Sequence, residues 1–191
     1  MMNKIIYSAA LAALVACGGG AKSSGLHSGG SVPPPPNVPA AGTGQPVEKR
    51  EVSADAKKDF TSAASFFAQN DKGSWNESTC RQAASNFEAV AREHTDLVEA
   101  QFMAGLSYHR CNLAKEAEAA YQAATRMKGD PTKIAMAMSN LGEIYYKAGK
   151  IDGAKQYWES AVKANGKLVA ARINLASLEL EQMRKIGDKD S

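Results

Sequence analysis

The feature that most restricts what this chain can fold into is a spacing that occurs twice. Gly105 is followed by Tyr108 at three residues, Ala117 at twelve, Tyr121 at sixteen and Ala124 at nineteen. Gly142 is followed at the same offsets by Tyr145, Ala154, Trp158 and Ala161. From Val52 onward the sequence is rich in alanine and free of strand-like alternation, and the only proline after Pro46 is Pro131, at a turn. The spacing therefore predicts helices. Small residues at Gly105, Ala117, Gly142 and Ala154 let paired helices approach closely, and Tyr121 and Trp158 are expected to fill the wedge between neighbouring repeats.

Five matched positions over twenty residues are specific. They resemble the tetratricopeptide repeat, a helix–turn–helix unit of about 34 residues. The resemblance implies an all-α fold: a short right-handed solenoid of antiparallel helix pairs with a C-terminal capping helix. Gly105 to Gly142 is 37 residues, so Met127 to Thr132 holds three extra. Val169 to Arg184 keeps phase, with Leu175-Ala176 standing 34 residues after Leu141-Gly142. It lacks a second helix and has Glu179 where a tyrosine is expected, as suits a cap. Upstream, Ala83, Phe87 and Val90 fit the second helix of a first repeat. Its first helix, about Ala54 to Gln69, fits less well because the connection Asn70 to Thr79 is long. The expected units are 53–95, 96–130, 131–167 and a cap at 168–186, with a disordered tail at 187–191.

The N-terminus carries a second resemblance. Lys4 gives a positive start, Ile5 to Ala16 form a mostly apolar run of twelve residues, and Cys17 follows in Leu14-Val15-Ala16-Cys17. The run is short of the roughly 20 residues that span a bilayer and has the flanks of a secretory signal. It resembles the lipobox of bacterial lipoproteins, which implies a signal peptide at 1–16 and acylation (palmitate and related chains) of Cys17. An ordinary secretory signal with an incidental cysteine is the alternative. Gly18, where an aspartate would retain the protein at the inner membrane, resembles lipoproteins sent to the outer membrane and facing the periplasm. Residues 17–52 then form the lipidated start and a Gly/Ser/Pro tether, including Pro33 to Pro36, with too few apolar groups to offset its ordering entropy. A proline-binding partner is the other use of that run. Cleavage before Cys17 removes Lys4 and lowers the formal charge from +3 to +2, which argues against a nucleic-acid binder.

With Cys17 carrying lipid, Cys80 and Cys111 remain, in an export context that permits disulfides. The resemblance puts Cys80 at the start of the second helix of repeat one and Cys111 at the end of the first helix of repeat two, on the same edge. A disulfide between them is expected. Two buried free thiols, or a metal shared with His94 and His109, are the alternatives.

In the family's usual register the first helix of each pair lines a concave surface that binds a peptide or helix of a partner. The residues this implies here are Phe102, Leu106 and His109 in repeat two, Met136, Asn140, Glu143 and Tyr146 in repeat three, and Ile173 and Asn174 in the cap. Asn140 and Asn174, 34 residues apart, resemble a two-rung asparagine ladder for an extended peptide; capping or bridging of nearby backbone is the other reading. The Lys/Asn clamp for a terminal carboxylate found in some members is not matched, because Leu106 stands where an asparagine is needed.

No metal-protease motif, phosphate loop or nucleophile elbow occurs. Glu116, Glu118, Glu179 and Glu181 read as solvated surface, and neither catalysis nor a cofactor is expected. The composite expectation is a lipid-anchored adaptor that holds protein partners in a bacterial envelope machine of assembly, secretion, pilus or gliding type. The stretch Gly105 to Cys111 resembles gliding-machinery tetratricopeptide lipoproteins. The competing expectation is a cell-wall regulatory lipoprotein that binds peptidoglycan or a hydrolase.

Overall fold

A computed structural model describes residues 51–187 apart from residue 74. The signal segment, Cys17, the expected tether as far as residue 50 and the final residues 188–191 lie outside the described residues, while Val52, at the end of that tether, packs against the cluster around α1. Among those described there are seven helices and no strand. They are α1 (Ala54–Asp71), α2 (Glu77–Glu93), α3 (Val98–Arg110), α4 (Ala114–Arg126), α5 (Pro131–Lys147), α6 (Ile151–Ala164) and α7 (Val169–Gly187). Each helix packs on the next, and α3 also touches α5. The first three pairs are α1–α2, α3–α4 and α5–α6; α7 stands single and runs through Gly187, where a tail was expected.

The local chemistry repeats with the sequence. At the ends of α3 and α5 the chain turns through positive φ, 55° at Asn112 and 73° at Gly149. Beyond these residues Leu113 N–H donates to Tyr108 O at 3.1 Å and Lys150 N–H to Tyr145 O at 2.9 Å. These are two copies of one Schellman-type closure, which satisfies a free carbonyl and sends the next helix back along the first. Helix α5 starts at Pro131 behind Asp130, whose carboxylate accepts from Thr132 N–H at 2.8 Å. Helix α2 starts with reciprocal bonds between Asn76 and Thr79.

Inside each central pair an aromatic ring lies on a glycine. A Cβ at Gly105 would stand 2.5 Å from Tyr121 Cδ1, and one at Gly142 would collide with the Trp158 indole. The rings thus close their own repeats, and each also lies in one buried cluster with residues of the following helix pair or cap, Tyr121 with Met138 and Leu141 and Trp158 with Ala171 and Leu178. Trp158 Nε1–H donates to Ser139 O at 3.0 Å. The Tyr121 hydroxyl reaches the following repeat, accepting from Asn140 Nδ2 at 2.9 Å.

Two apolar clusters follow. One, around Phe67, Phe87 and Leu97, joins α1 to α4; the other, around Tyr121, Met138, Leu141 and Trp158, joins α3 to α7. Met103, Leu106 and Tyr108 of α3 touch both and make the two continuous. The long connection after α1 is pinned: the Trp75 ring sits 4.9 Å from that of Phe67, and its Nε1–H reaches Asp71 Oδ1 at 3.3 Å.

Beside that connection Cys80, in the first turn of α2, is bonded to Cys111 at the end of α3, with Cα atoms 6.3 Å apart. The bridge closes a 31-residue separation. Replacing both cysteines by serine is expected to lower unfolding free energy by about 3 to 4 kcal/mol through the freed loop. Urea titration of the two proteins checks this; equal midpoints would contradict a stabilising bridge.

Candidate partner-binding surface

The first helices of successive repeats are joined at their C-terminal ends by polar contacts. From α1 to α3, Asp71 Oδ1 meets Arg110 Nη2 at 2.8 Å, and the guanidinium lies 5.7 Å over the Phe67 ring. From α3 to α5, His109 Nε2 stands 3.9 Å from Glu143 Oε1, which Lys147 Nζ approaches at 2.6 Å. From α5 to α7, the Tyr146 hydroxyl donates to Glu181 Oε2 at 2.7 Å, and Lys185 holds the other oxygen at 2.7 Å. Each exposed pair contributes little by itself. Together they fix how the helices that carry the expected surface line up.

The second helices are tied in differently. Tyr108 donates to Glu88 of α2 at 3.1 Å, and Tyr145 donates to Glu118 of α4 at 2.8 Å. Arg81 of α2 pairs with Glu116 of α4 at 2.9 Å. Glu116, Glu118 and Glu181 are therefore not idle surface acids, contrary to the sequence reading. Glu179 is exposed. Burial, then the adjacent Glu118 carboxylate, pushes the Tyr145 phenol well above its ordinary pKa; Glu181 pushes Tyr146 up by its hydrogen bond. Both phenols are donors at neutral pH.

Of the nine expected surface residues, one is misplaced. Phe102 is buried at 3% exposure, packed 5.9 Å from the Tyr121 ring and capped by Lys133 Nζ at 5.4 Å. It belongs to the core, because α5 closes over a position that looks open when α3 is considered alone. Leu106, His109, Met136, Asn140, Glu143 and Asn174 are half-buried, while Tyr146 and Ile173 are exposed. The Asn140 amide gives one N–H to Tyr121, a role neither asparagine reading anticipated. Tyr146 stands 5.8 Å from the Trp158 ring. Leu106, Met136 and Tyr146, with the His109–Glu143–Lys147 charges beside them, leave a mixed apolar and polar surface on α3 and α5.

Among the described residues one grouping has metal-ligand spacing: oxygen and nitrogen atoms of Asp59, Glu93 and His94 lie within 4.8 Å of one another. His94 Nε2 is already 2.9 Å from Asp59 Oδ2, an ordinary α1–α2 contact. The cysteines are occupied by their mutual bond and His109 faces Glu143, so these four residues do not come together as a metal site. No described helix is long and apolar enough to cross a membrane.

The tetratricopeptide-repeat sequence pattern matches residues 75–132 and 139–185, more than half of the chain. The chain belongs to the tetratricopeptide-repeat family. Both matched stretches exclude α1, whose sequence departs furthest from the repeat. The chain is also similar to a solved structure titled "Crystal structure of MamA", at 16% identity and a TM-score of 0.47, covering 73% of this chain and 91% of that one. No curated protein matches the chain. A tetratricopeptide-repeat domain binds protein partners, and proteins of this family are generally scaffolds.

His109 gives this surface a pH dependence. Burial is the largest influence and lowers its pKa below 6.5; Glu143 opposes the shift and Lys147 adds to it. Between the folded and unfolded values the unfolded chain takes up a proton that the folded chain refuses. The His109 contribution is therefore complete above the unfolded value and is lost as pH falls through the folded one. Thermal melts from about pH 7.5 to about pH 5 are expected to fall less steeply for His109→Gln than for the parent; parallel curves would contradict it.

Proposed function

We propose that this protein is a lipid-anchored adaptor that seats a peptide or helix of a partner protein on the α3–α5 surface, within a bacterial envelope machine of assembly, secretion, pilus or gliding type. The observation that carries the reading is the half-open surface of Leu106, Met136 and Tyr146 beside paired charges, on helices held in register by contacts from repeat to repeat. Such a mixture suits a segment with apolar anchors and polar flanks better than a single-sign ligand. The N-terminal sequence supports the anchor: Leu14-Val15-Ala16-Cys17 supplies an acylation signal, and Gly18 after it favours the outer membrane and a periplasmic location. Two or more acyl chains would hold the chain stably, and residues 18–47 supply reach.

Photocrosslinking from Leu106 and Met136 in intact cells identifies what lies on the surface. Lysine at either position is expected to reduce binding of the crosslinked protein at least tenfold; because both side chains also pack against the core, the melting temperature should fall, while circular dichroism well below it stays that of the folded parent. Cys17→Ser is expected to move the protein to the soluble fraction without altering that affinity. Undiminished binding by correctly folded lysine variants would refute the surface; membrane retention of Cys17→Ser would refute the anchor. Crosslinks to cell-wall glycan in place of protein would favour the cell-wall reading.

A further inference from the structure

We infer that the open face of α7 is the contact through which two copies of this chain pair, antiparallel, about a two-fold axis beside Ala176. Superimposing the repeat register puts Val169, Arg172, Ile173, Ala176 and Glu179 of α7 where α5 has Ala135, Met138, Ser139, Gly142 and Tyr145. All five α5 residues are buried, and all five α7 residues are exposed. The inner side of α7 is satisfied, since Ala171 and Leu178 are buried against the rest of the fold. Its outer side is not. Val169, Ile173, Leu180 and Met183 are between 57% and 63% exposed, which is most of the large exposed apolar residues in the described chain.

The order of these residues indicates the occupant. Positions 169, 173, 176, 180 and 183 alternate steps of four and three, the seam of a left-handed helix pair. Arg172 and Glu179 flank the seam seven residues apart, and neither makes a side-chain ion pair or hydrogen bond among the described residues. A covering helix of the α4 or α6 kind would bury both charges, because their α5 counterparts Met138 and Tyr145 are buried. Unpaired, those charges would oppose such a helix. A second α7 running the other way instead sets Arg172 of each copy against Glu179 of the other. It places Ile173 on Ala176 of the second copy and Val169 on its Leu180. Small Ala176 near the axis allows the close approach, and the surface is self-complementary as a two-fold contact requires. Four apolar side chains from each copy, flanked by the two charges, make a small interface, so a weak, reversible dimer is expected. This pairing leaves Leu106 and Met136 on the partner surface untouched.

Sedimentation of the purified full chain in detergent, over a concentration series, is the test. The parent is expected to show a monomer–dimer equilibrium; Arg172→Glu and Glu179→Arg should each weaken it at least tenfold, and the combined charge swap should restore it to within about threefold. An oxidised Ile173→Cys/Ala176→Cys double variant should yield a covalent dimer. Every substituted position is exposed, so circular dichroism should stay unchanged. A parent that remains monomeric throughout, or a charge swap that fails to restore pairing, would overturn the proposal. So would undiminished dimerisation of the single variants.

Discussion

The structure depends on a ring laid flat on a glycine. An interior helical glycine costs about 1 kcal/mol relative to alanine, so its presence in both α3 and α5 needs a compensating contact. That contact is the Tyr121 phenol on Gly105 and the Trp158 indole on Gly142, where any side-chain carbon would intrude. The missing Cβ brings the two helices of a pair close enough for one aromatic to close the space between them. Trp158 also holds the Ser139 carbonyl within its own pair, while Tyr121 reaches outward to the Asn140 amide of the next repeat. Pair geometry sets repeat geometry, and repeat geometry presents the first helices side by side.

The two ends of the stack solve a shared problem in different ways. At the N-terminal end the connection between α1 and α2 is long, and both the Trp75 ring and the Cys80–Cys111 bond restrain it. At the C-terminal end α7 is followed by no second helix among the described residues and keeps an apolar stripe in the open. A purely solvating cap would carry polar residues there. Between the ends, Tyr145–Glu118 and Tyr108–Glu88 tie second helices to the first helices that follow them, so that the apolar contacts supply stability and the phenols supply register.

Much of the fold was legible because the repeat is a property of spacing: the glycine, tyrosine and aromatic offsets place the four helices α3 to α6 and their turns without knowledge of any contact. The positions of the two cysteines on one edge were legible for the same reason. Burial across repeats was not. Phe102 sits on the side of α3 that the family register turns toward a ligand, and only the approach of α5 and the cover of Lys133 remove it from solvent. Glu118 looked like one acid among many because its donor, Tyr145, comes 27 residues later. A signal was present: a repeated tyrosine, buried on its helix, must place its hydroxyl somewhere. Trp75 was overlooked because it lies in a connection, outside any helical period.

The most direct measurement of the ring-on-glycine contact is the unfolding free energy of Gly142→Ala in two backgrounds, the parent and Trp158→Leu. In the parent the added methyl meets the indole and should cost roughly 1 to 3 kcal/mol, as overpacking does. With the indole gone, the same change should be neutral or stabilising by up to about 1 kcal/mol, the ordinary helix preference for alanine. An equal cost in both backgrounds would show that the glycine is not there for the ring, and would contradict this account of how the pairs are built.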